Sequence, residues 1–482
     1  MYRVWDFVST YSLLMIGGAI LALIWANVDP HAYHAVVDWT ILAGGPIGEP
    51  TYAPDGSVAT RTLTLHFLVN DILMAFFFAV AAKEVWEAMV LEQGSLRGKS
   101  AFVPVLSAVG GMAGPVVVYL LLAALLGSET YDAVAHGWAV PTATDIAFSY
   151  IVARIIFGAG HPAVRFLLLL AIVDDALGLL IIAVFYPKGD VAPEWLLLSL
   201  GAALAAYVLF NWLPRFLDRG NEVQPNATWM RRNLSFWPYL LAGAVSWFGF
   251  QEAGLHPALG LLPIIPTMPH ADRGFGIYAE AEQHLTDILN RFEHALKVPV
   301  EWILFLFGLL NAGVELNSVG TPTWLILTGL LIGKPVGIFL AGWIGARGLR
   351  LGLSRGMDFR DLLVVGFVAA IGFTVALFVA GVAFSPEATL AGHPIQEAAK
   401  LGALFSVLAA PIAWVVARMT GVRRQMGERM PLPHTPAWTG PPGQARGEPR
   451  RRTRPCPSPA PRPRSAKCVS ATSSSATTAR SW

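Results

Sequence analysis

Residues 166–186 read FLLLLAIVDDALGLLIIAVFY. The stretch is long enough to cross a bilayer as one helix, yet two carboxylates, Asp174 and Asp175, sit side by side at its centre. Acidic groups at that depth are expensive, and ionisable residues inside spans mark ion pathways or proton relays. Neighbours on a helix point about 100° apart. The two aspartates are therefore not expected to share one small site face-on: one would line a cavity while the other meets a partner on an adjacent helix. An unpaired carboxylate in a low dielectric takes up a proton. Where it also admits a hard cation, which prefers oxygen ligands, proton and cation compete for the same atoms. That competition is the elementary step of cation/proton exchange. The alternative is a protonated, hydrogen-bonded pair that only fixes helix packing.

The rest of the chain points to a membrane. Of 482 residues, 55% are hydrophobic and 14% charged, and the mean hydropathy is +0.54. Soluble domains carry about 25% charged residues. The net charge of +2 selects no partner class, and nothing suggests nucleic acid. Cys456 and Cys468 both lie near the C-terminus, so neither a disulfide framework nor a Cys-based metal site is expected in the apolar body. No HExxH-type spacing is present and no cofactor is expected. The first apolar run, YSLLMIGGAILALIW, has Arg3 and Asp6 before it and no small-residue cleavage site after it. It reads as a first anchor rather than a removed signal.

About twelve apolar runs have span length. They centre near positions 19, 78, 114, 147, 176, 204, 245, 262, 307, 334, 374 and 408. With the N-terminus cytoplasmic, the even connections hold SLRGKS, RFLDRGNEVQPNATWMRR and RGLRLGLSRGMDFR, while the odd ones hold only Arg61, Lys188 and Lys400. That bias places both termini inside. Residues 1–424 form the membrane body. Residues 425–482 are rich in Pro, Arg and Ser and are expected to be disordered. The Arg cluster at 450–454 reads as part of a solvated tail, with contact to anionic lipid as the alternative.

Other ionisable residues fall inside spans: Asp71, Asp145 and Lys334. Lys334, in LLIGKPVGIFLAGW, needs a counter-charge, and an aspartate supplies it; the alternative is a lysine reaching the interface. Asp145 follows Pro141 in WAVPTATDIAFSY, which reads as a broken span, and AAIGFT at 369–374 reads as a second break. Half-helix ends expose partial charges. Asp145 would compensate N-terminal ends and Lys334 C-terminal ends. One interrupted span in each half points to inverted repeats around a midplane site, with spans 3–5 corresponding to spans 10–12. Asp71 reads equally as structural or accessory. Glu84, Glu293 and His294 lie near cytoplasmic ends, either as pH-responsive groups or as solvated helix ends. His256, before Pro257, reads as structural.

PTATDIAF, LAIVDDALGLLIIAVFYP, GLHPALGLL, NAGVEL, LLIGKPVGI and AAIGFTVALFVAGVAF together resemble the NhaA family of Na⁺/H⁺ antiporters over roughly residues 5–420. NhaA is itself a standard instance of the inverted-repeat arrangement. The resemblance implies an all-α polytopic fold of twelve helices, with spans 4 and 11 unwound and crossing. It implies that Asp175 binds Na⁺ or Li⁺ in turn with protons, and that Asp174 lines the same site and pairs with Lys334. Thr144 and Asp145 would sit at the crossing and contribute to the ion-binding site or its electrostatics. It further implies an electrogenic, pH-regulated antiporter of a bacterial inner membrane that expels Na⁺, often as a homodimer.

The sequence departs from the family pattern at AAKEVWEAM, where GLEVKREL is usual. Glu84 matches, but Trp86 and Glu87 replace the basic positions, and Lys297 stands where His is frequent. The long connection 28–63 departs from the β-hairpin that supports dimers in some members. A proton-coupled carrier of another solute is the alternative function. A membrane-embedded enzyme is a further one, although the second acid of prenyl-transfer motifs and the GxGD context of intramembrane aspartyl proteases are both absent.

Overall fold

The computed structural model describes residues 2–52, 58–90, 101–158, 160–188, 191–219, 225–269, 288–354 and 356–422. Expectations for the 425–482 tail, its cysteines and its Arg cluster lie outside the described residues. Met1–Arg429 form one compact unit.

That unit is helical, and its segments fall into twelve spans. Spans 1–3 are Tyr2–Val28, Leu65–Val90 and Phe102–Leu125. Span 4 is the pair Ser128–Thr142 and Ile146–Phe157, followed by span 5, Pro162–Phe185, and span 6, Pro193–Leu217. Spans 7 and 8 are Trp237–Glu252 and Pro257–Thr267, divided within FQEAGLHP. Span 9 is Ile288–Asn311 and span 10 is Thr321–Gly348. Span 11 is the pair Phe359–Ala369 and Phe373–Ala383, and span 12 is Ile395–Thr420. Among the described residues, six single helices are long and apolar enough to cross a membrane, and the two bent pairs raise this to eight. The others fall short for visible reasons. Span 8 is a short run of 3-10 turns holding Pro257, Pro263 and Pro266, and the first half of span 9 carries Arg291, Glu293 and Lys297.

Both predicted breaks are present. Span 4 bends by 54° and span 11 by 48°. At the first, Ala143 and Asp145 are extended. At the second, Ala370–Gly372 interrupt the helix, and a Cβ on Gly372 would lie 3.1 Å from the carbonyl oxygen of Ala143. The two breaks therefore touch backbone to backbone, which only a glycine permits comfortably.

Spans 3 and 10, counterparts in the expected repeat, cross more closely still. A Cβ on Gly114 would fall 2.2 Å from the carbonyl oxygen of Gly333, and one on Gly337 would fall 2.0 Å from that of Gly110. Each helix offers glycines four residues apart, the spacing that lets membrane helices pack closely where lipid supplies no hydrophobic drive. Span 10 also widens to a π turn at Gly329–Gly333, just ahead of Pro335. A proline lacks the N–H and crowds the carbonyl four residues earlier, so the widened turn relieves it.

The connection between spans 1 and 2 is more than a hairpin. It forms a three-stranded antiparallel sheet of β1 (Thr40–Ala43), β2 (Glu49–Tyr52) and β3 (Val58–Thr64) in the order β1-β3-β2. Arg61 ties it to Glu252 at the end of span 7 at 2.9 Å.

Candidate functional site

Span 5 runs past the point where the two broken spans meet. Its start is fixed locally: His161 caps it by accepting the N–H of Ala163, and Pro162 occupies the first turn. Asp174 and Lys334 are both buried, and Nζ of Lys334 lies 2.8 Å from Oδ2 of Asp174. The same oxygen lies 2.5 Å from the Thr144 hydroxyl, which is itself 3.1 Å from the carbonyl oxygen of Ala369 in span 11. Lys334 also donates to the carbonyl of Thr142, at the C-terminal end of the first half of span 4. A cation there complements the exposed carbonyls of a half-helix.

Asp145 does the converse. Its Oδ1 accepts the N–H of Phe148 at 3.0 Å, capping the second half of span 4. Its Oδ2 accepts both the N–H and the hydroxyl of Thr374, at the start of the second half of span 11. One carboxylate thus serves two helix N-termini, where negative charge is favoured. The Asp145 N–H donates to Ile371 at 2.7 Å, and Ser149 donates to Val368 at 3.0 Å, which completes the crossing.

Asp175 is half-buried and makes no hydrogen bond or ion pair to a described residue. With Asp174 it lines a cavity of about 20 Å³ walled by Phe77, Phe78, Ala143, Val375 and Val379, room for roughly one water-sized body. Oδ1 of Asp174 is buried without a hydrogen-bond partner. Both aspartates border the cavity, and Asp174 also meets a partner on an adjacent helix, Lys334. Asp174, Asp175, Gly178, Leu179, Ile181 and Ile182 all border it, a wall broad enough to take in two side chains 100° apart. Thr144 and Asp145 stand at the crossing but do not border the cavity; Thr144 acts through Asp174.

The remaining sequence candidates lie elsewhere. Asp71 sits in a π turn of span 2 near the sheet, bound to Lys188 at 2.5 Å. Toward the other end of span 2, Glu84 is half-buried, and Glu293 reaches the buried Lys83 at 2.6 Å. Lys83 also pairs with Glu87 at 2.9 Å. Glu293 is therefore not a solvated helix end, whereas His294 is exposed. Lys83, Thr374 and Lys188 were not among the sequence candidates. A signal for each was present: a lysine in an apolar run, a hydroxyl just after a helix break, and a lone basic residue in a short connection. Among the described residues no group of three or more His, Cys, Asp or Glu side chains is placed to hold a metal ion.

Crossing broken helices that bring carboxylates and a buried lysine to one small cavity define a polytopic membrane carrier for a small ion. The profile of the family described as Na⁺/H⁺ antiporter 1 matches residues 4–417, and the chain belongs to that family. The family is one of transporters, not of enzymes. The Na(+)/H(+) antiporter NhaA of Jannaschia sp. (strain CCS1) is 63% identical over 425 residues, 88% of this chain and 100% of that protein. The Na(+)/H(+) antiporter NhaA of Desulfitobacterium hafniense (strain Y51) is 44% identical over 425 residues, 87% of this chain and 96% of that protein. Among solved structures, the sodium proton antiporter MjNhaP1 from Methanocaldococcus jannaschii aligns over 86% of this chain and 99% of its own, with a TM-score of 0.45 and 14% identity.

Proposed function

We propose that the chain is a secondary Na⁺/H⁺ antiporter in which Asp175 binds Na⁺ or Li⁺ and protons by turns. One observation carries this reading. Asp174 is held by Lys334 and Thr144, while Asp175 shares its cavity and has no hydrogen-bond or ion-pair partner among the described residues. Held in this way, Asp174 offers its Oδ1, which has no hydrogen-bond partner among the described residues, as a second oxygen for the cation. Na⁺ at Asp174 and Asp175 displaces the proton of Asp175, and a proton arriving from the other side displaces Na⁺. The helix ends around the cavity are already neutralised by Asp145 and Lys334, so the entering cation meets no exposed half-helix charge. A cavity of about 20 Å³ fits a bare cation rather than a larger solute.

The transport is electrogenic and expels Na⁺ from the cell. The protein sits in a bacterial inner membrane with both termini cytoplasmic, and it forms a homodimer. Residues 1–424 carry the activity, with 425–482 as a separate tail. Glu84, Glu293 and His294 set the pH response at the cytoplasmic end, where Lys83 now joins spans 2 and 9.

Vesicles with the protein reconstituted and an acid interior test the reading. External Na⁺ or Li⁺ is expected to dissipate the pH gradient in the wild type and not in Asp175→Asn. Equal dissipation in both would remove Asp175 from the exchange step.

A further inference from the structure

One buried ion pair has no part in the exchange site. Asp71, in span 2, is 1% exposed, and its Oδ1 lies 2.5 Å from Nζ of Lys188. Lys188 belongs to the connection after span 5. Its N–H donates to Gly254 at 2.8 Å, and that of Ala192 donates to Ala253 at 3.1 Å, which clamps this connection onto the junction of spans 7 and 8. The Lys188 side chain remains 36% exposed. The pair therefore connects a buried carboxylate to the surface that the orientation above places outside.

His256 approaches the same carboxylate, with Nδ1 3.6 Å from Oδ1. That nitrogen accepts the N–H of Ala258, so it has no proton to offer Asp71. Among the described residues, Lys188 is the one counter-charge at Asp71. Glu49, on β2, responds to the same ammonium.

Ring contacts also connect Asp71 with the exchange cavity. The His256 ring packs against Phe378 at 4.9 Å, and Phe378 meets Phe78 edge-on at 5.0 Å. Phe78 lines the cavity of Asp174 and Asp175. His256, Phe378 and Phe78 thus form a chain of three rings from Asp71 to the cavity wall.

We propose that Asp71 is an outer station for the transported monovalent cation, and that Lys188 is its built-in competitor, an ammonium that must leave before a cation takes the carboxylate. The inference rests on the antiport reading above. A tethered ammonium already shows that a single positive charge fits against Asp71. The absence of a third His, Cys or acidic ligand among the described residues argues for a loosely held monovalent ion rather than a multivalent metal. If Lys188 occupies Asp71 in about nine molecules of ten, the apparent affinity for the outer cation falls about tenfold.

The test is the half-saturating Na⁺ concentration on each face, measured in right-side-out and everted vesicles. Exchange by the wild type in the same vesicles is the control; its absence strikes the antiport reading itself. With exchange present, Lys188→Gln is expected to lower the outer value about tenfold and leave the inner value unchanged. Lys188→Arg keeps the wild-type values. Adding Asp71→Asn to Lys188→Gln abolishes the gain. An unchanged outer value, an equal shift on both faces, or a gain that survives loss of Asp71 overturns the proposal. Lys188→Met, an uncharged side chain of similar length, reads the same quantity if Lys188→Gln fails to fold.

Discussion

Nζ of Lys334 lies 2.8 Å from Oδ2 of Asp174, and neither side chain reaches solvent. Removing one partner of a buried pair costs about 3–5 kcal/mol, because the other charge stays behind unpaired. Lys334→Met is therefore expected to lower the thermal unfolding midpoint of the detergent-solubilised protein sharply. The double variant Lys334→Met/Asp174→Leu is expected to recover most of that loss without recovering transport. A double variant as unstable as the single one would show that the lysine stabilises through something other than this pair.

Asp145 separates charge from capping. Phe148 and Thr374 donate to different oxygens of Asp145, so Asp145→Asn keeps an acceptor for only one of the two N–H groups; it is expected to lose one cap, about 0.5–2 kcal/mol, while shifting the Na⁺ dependence of exchange. Asp145→Ala removes both caps, each worth about 0.5–2 kcal/mol, and is expected to unfold at clearly lower temperature. Side-by-side melting and exchange curves check both outcomes.

The crossing of spans 3 and 10 leaves no room for a methyl group. Gly114→Ala would drive a Cβ to 2.2 Å from a backbone oxygen. Overpacking typically costs about 1–3 kcal/mol where neighbours can yield, and here the neighbour is backbone. The expected result is a large fall in folded yield. Gly178→Ala, with nothing within 4 Å of its Cβ, is expected to leave the yield intact. Fluorescence-detected size-exclusion profiles compare the two.

Lys83 holds two acids together across spans 2 and 9, at 2.9 Å from Glu87 and 2.6 Å from Glu293. Lys83→Met leaves two carboxylates facing each other and is expected to destabilise the protein by about 3 kcal/mol. Adding Glu293→Gln is expected to restore part of it. Unfolding midpoints at neutral pH measure the difference.

The decisive features of the fold were legible because each violates a local rule. Asp174 and Asp175 stand in an otherwise apolar run, Pro141 and Gly372 interrupt helices, and Lys334 lies at mid-span. What could not be read was which distant group answers each violation. Thr374 meets Asp145 across 229 positions and Lys188 meets Asp71 across 117, and no helical period encodes such a meeting. Glu87 looked like a lost basic residue until Lys83, one turn earlier, proved to be its partner. The sheet between spans 1 and 2 was hidden for a similar reason: β1 is exposed along its length and shows no alternation to mark it as a strand.

The central claim is that Na⁺ and a proton exclude each other at Asp175. Proton release on Na⁺ addition to the purified protein, followed with a pH dye in weak buffer, measures this directly. The account predicts release in the wild type, with about tenfold more Na⁺ needed for each pH unit below the titration of the carboxylate, and no release in Asp175→Asn. Na⁺ binding without proton release, or release that persists in Asp175→Asn, would contradict it.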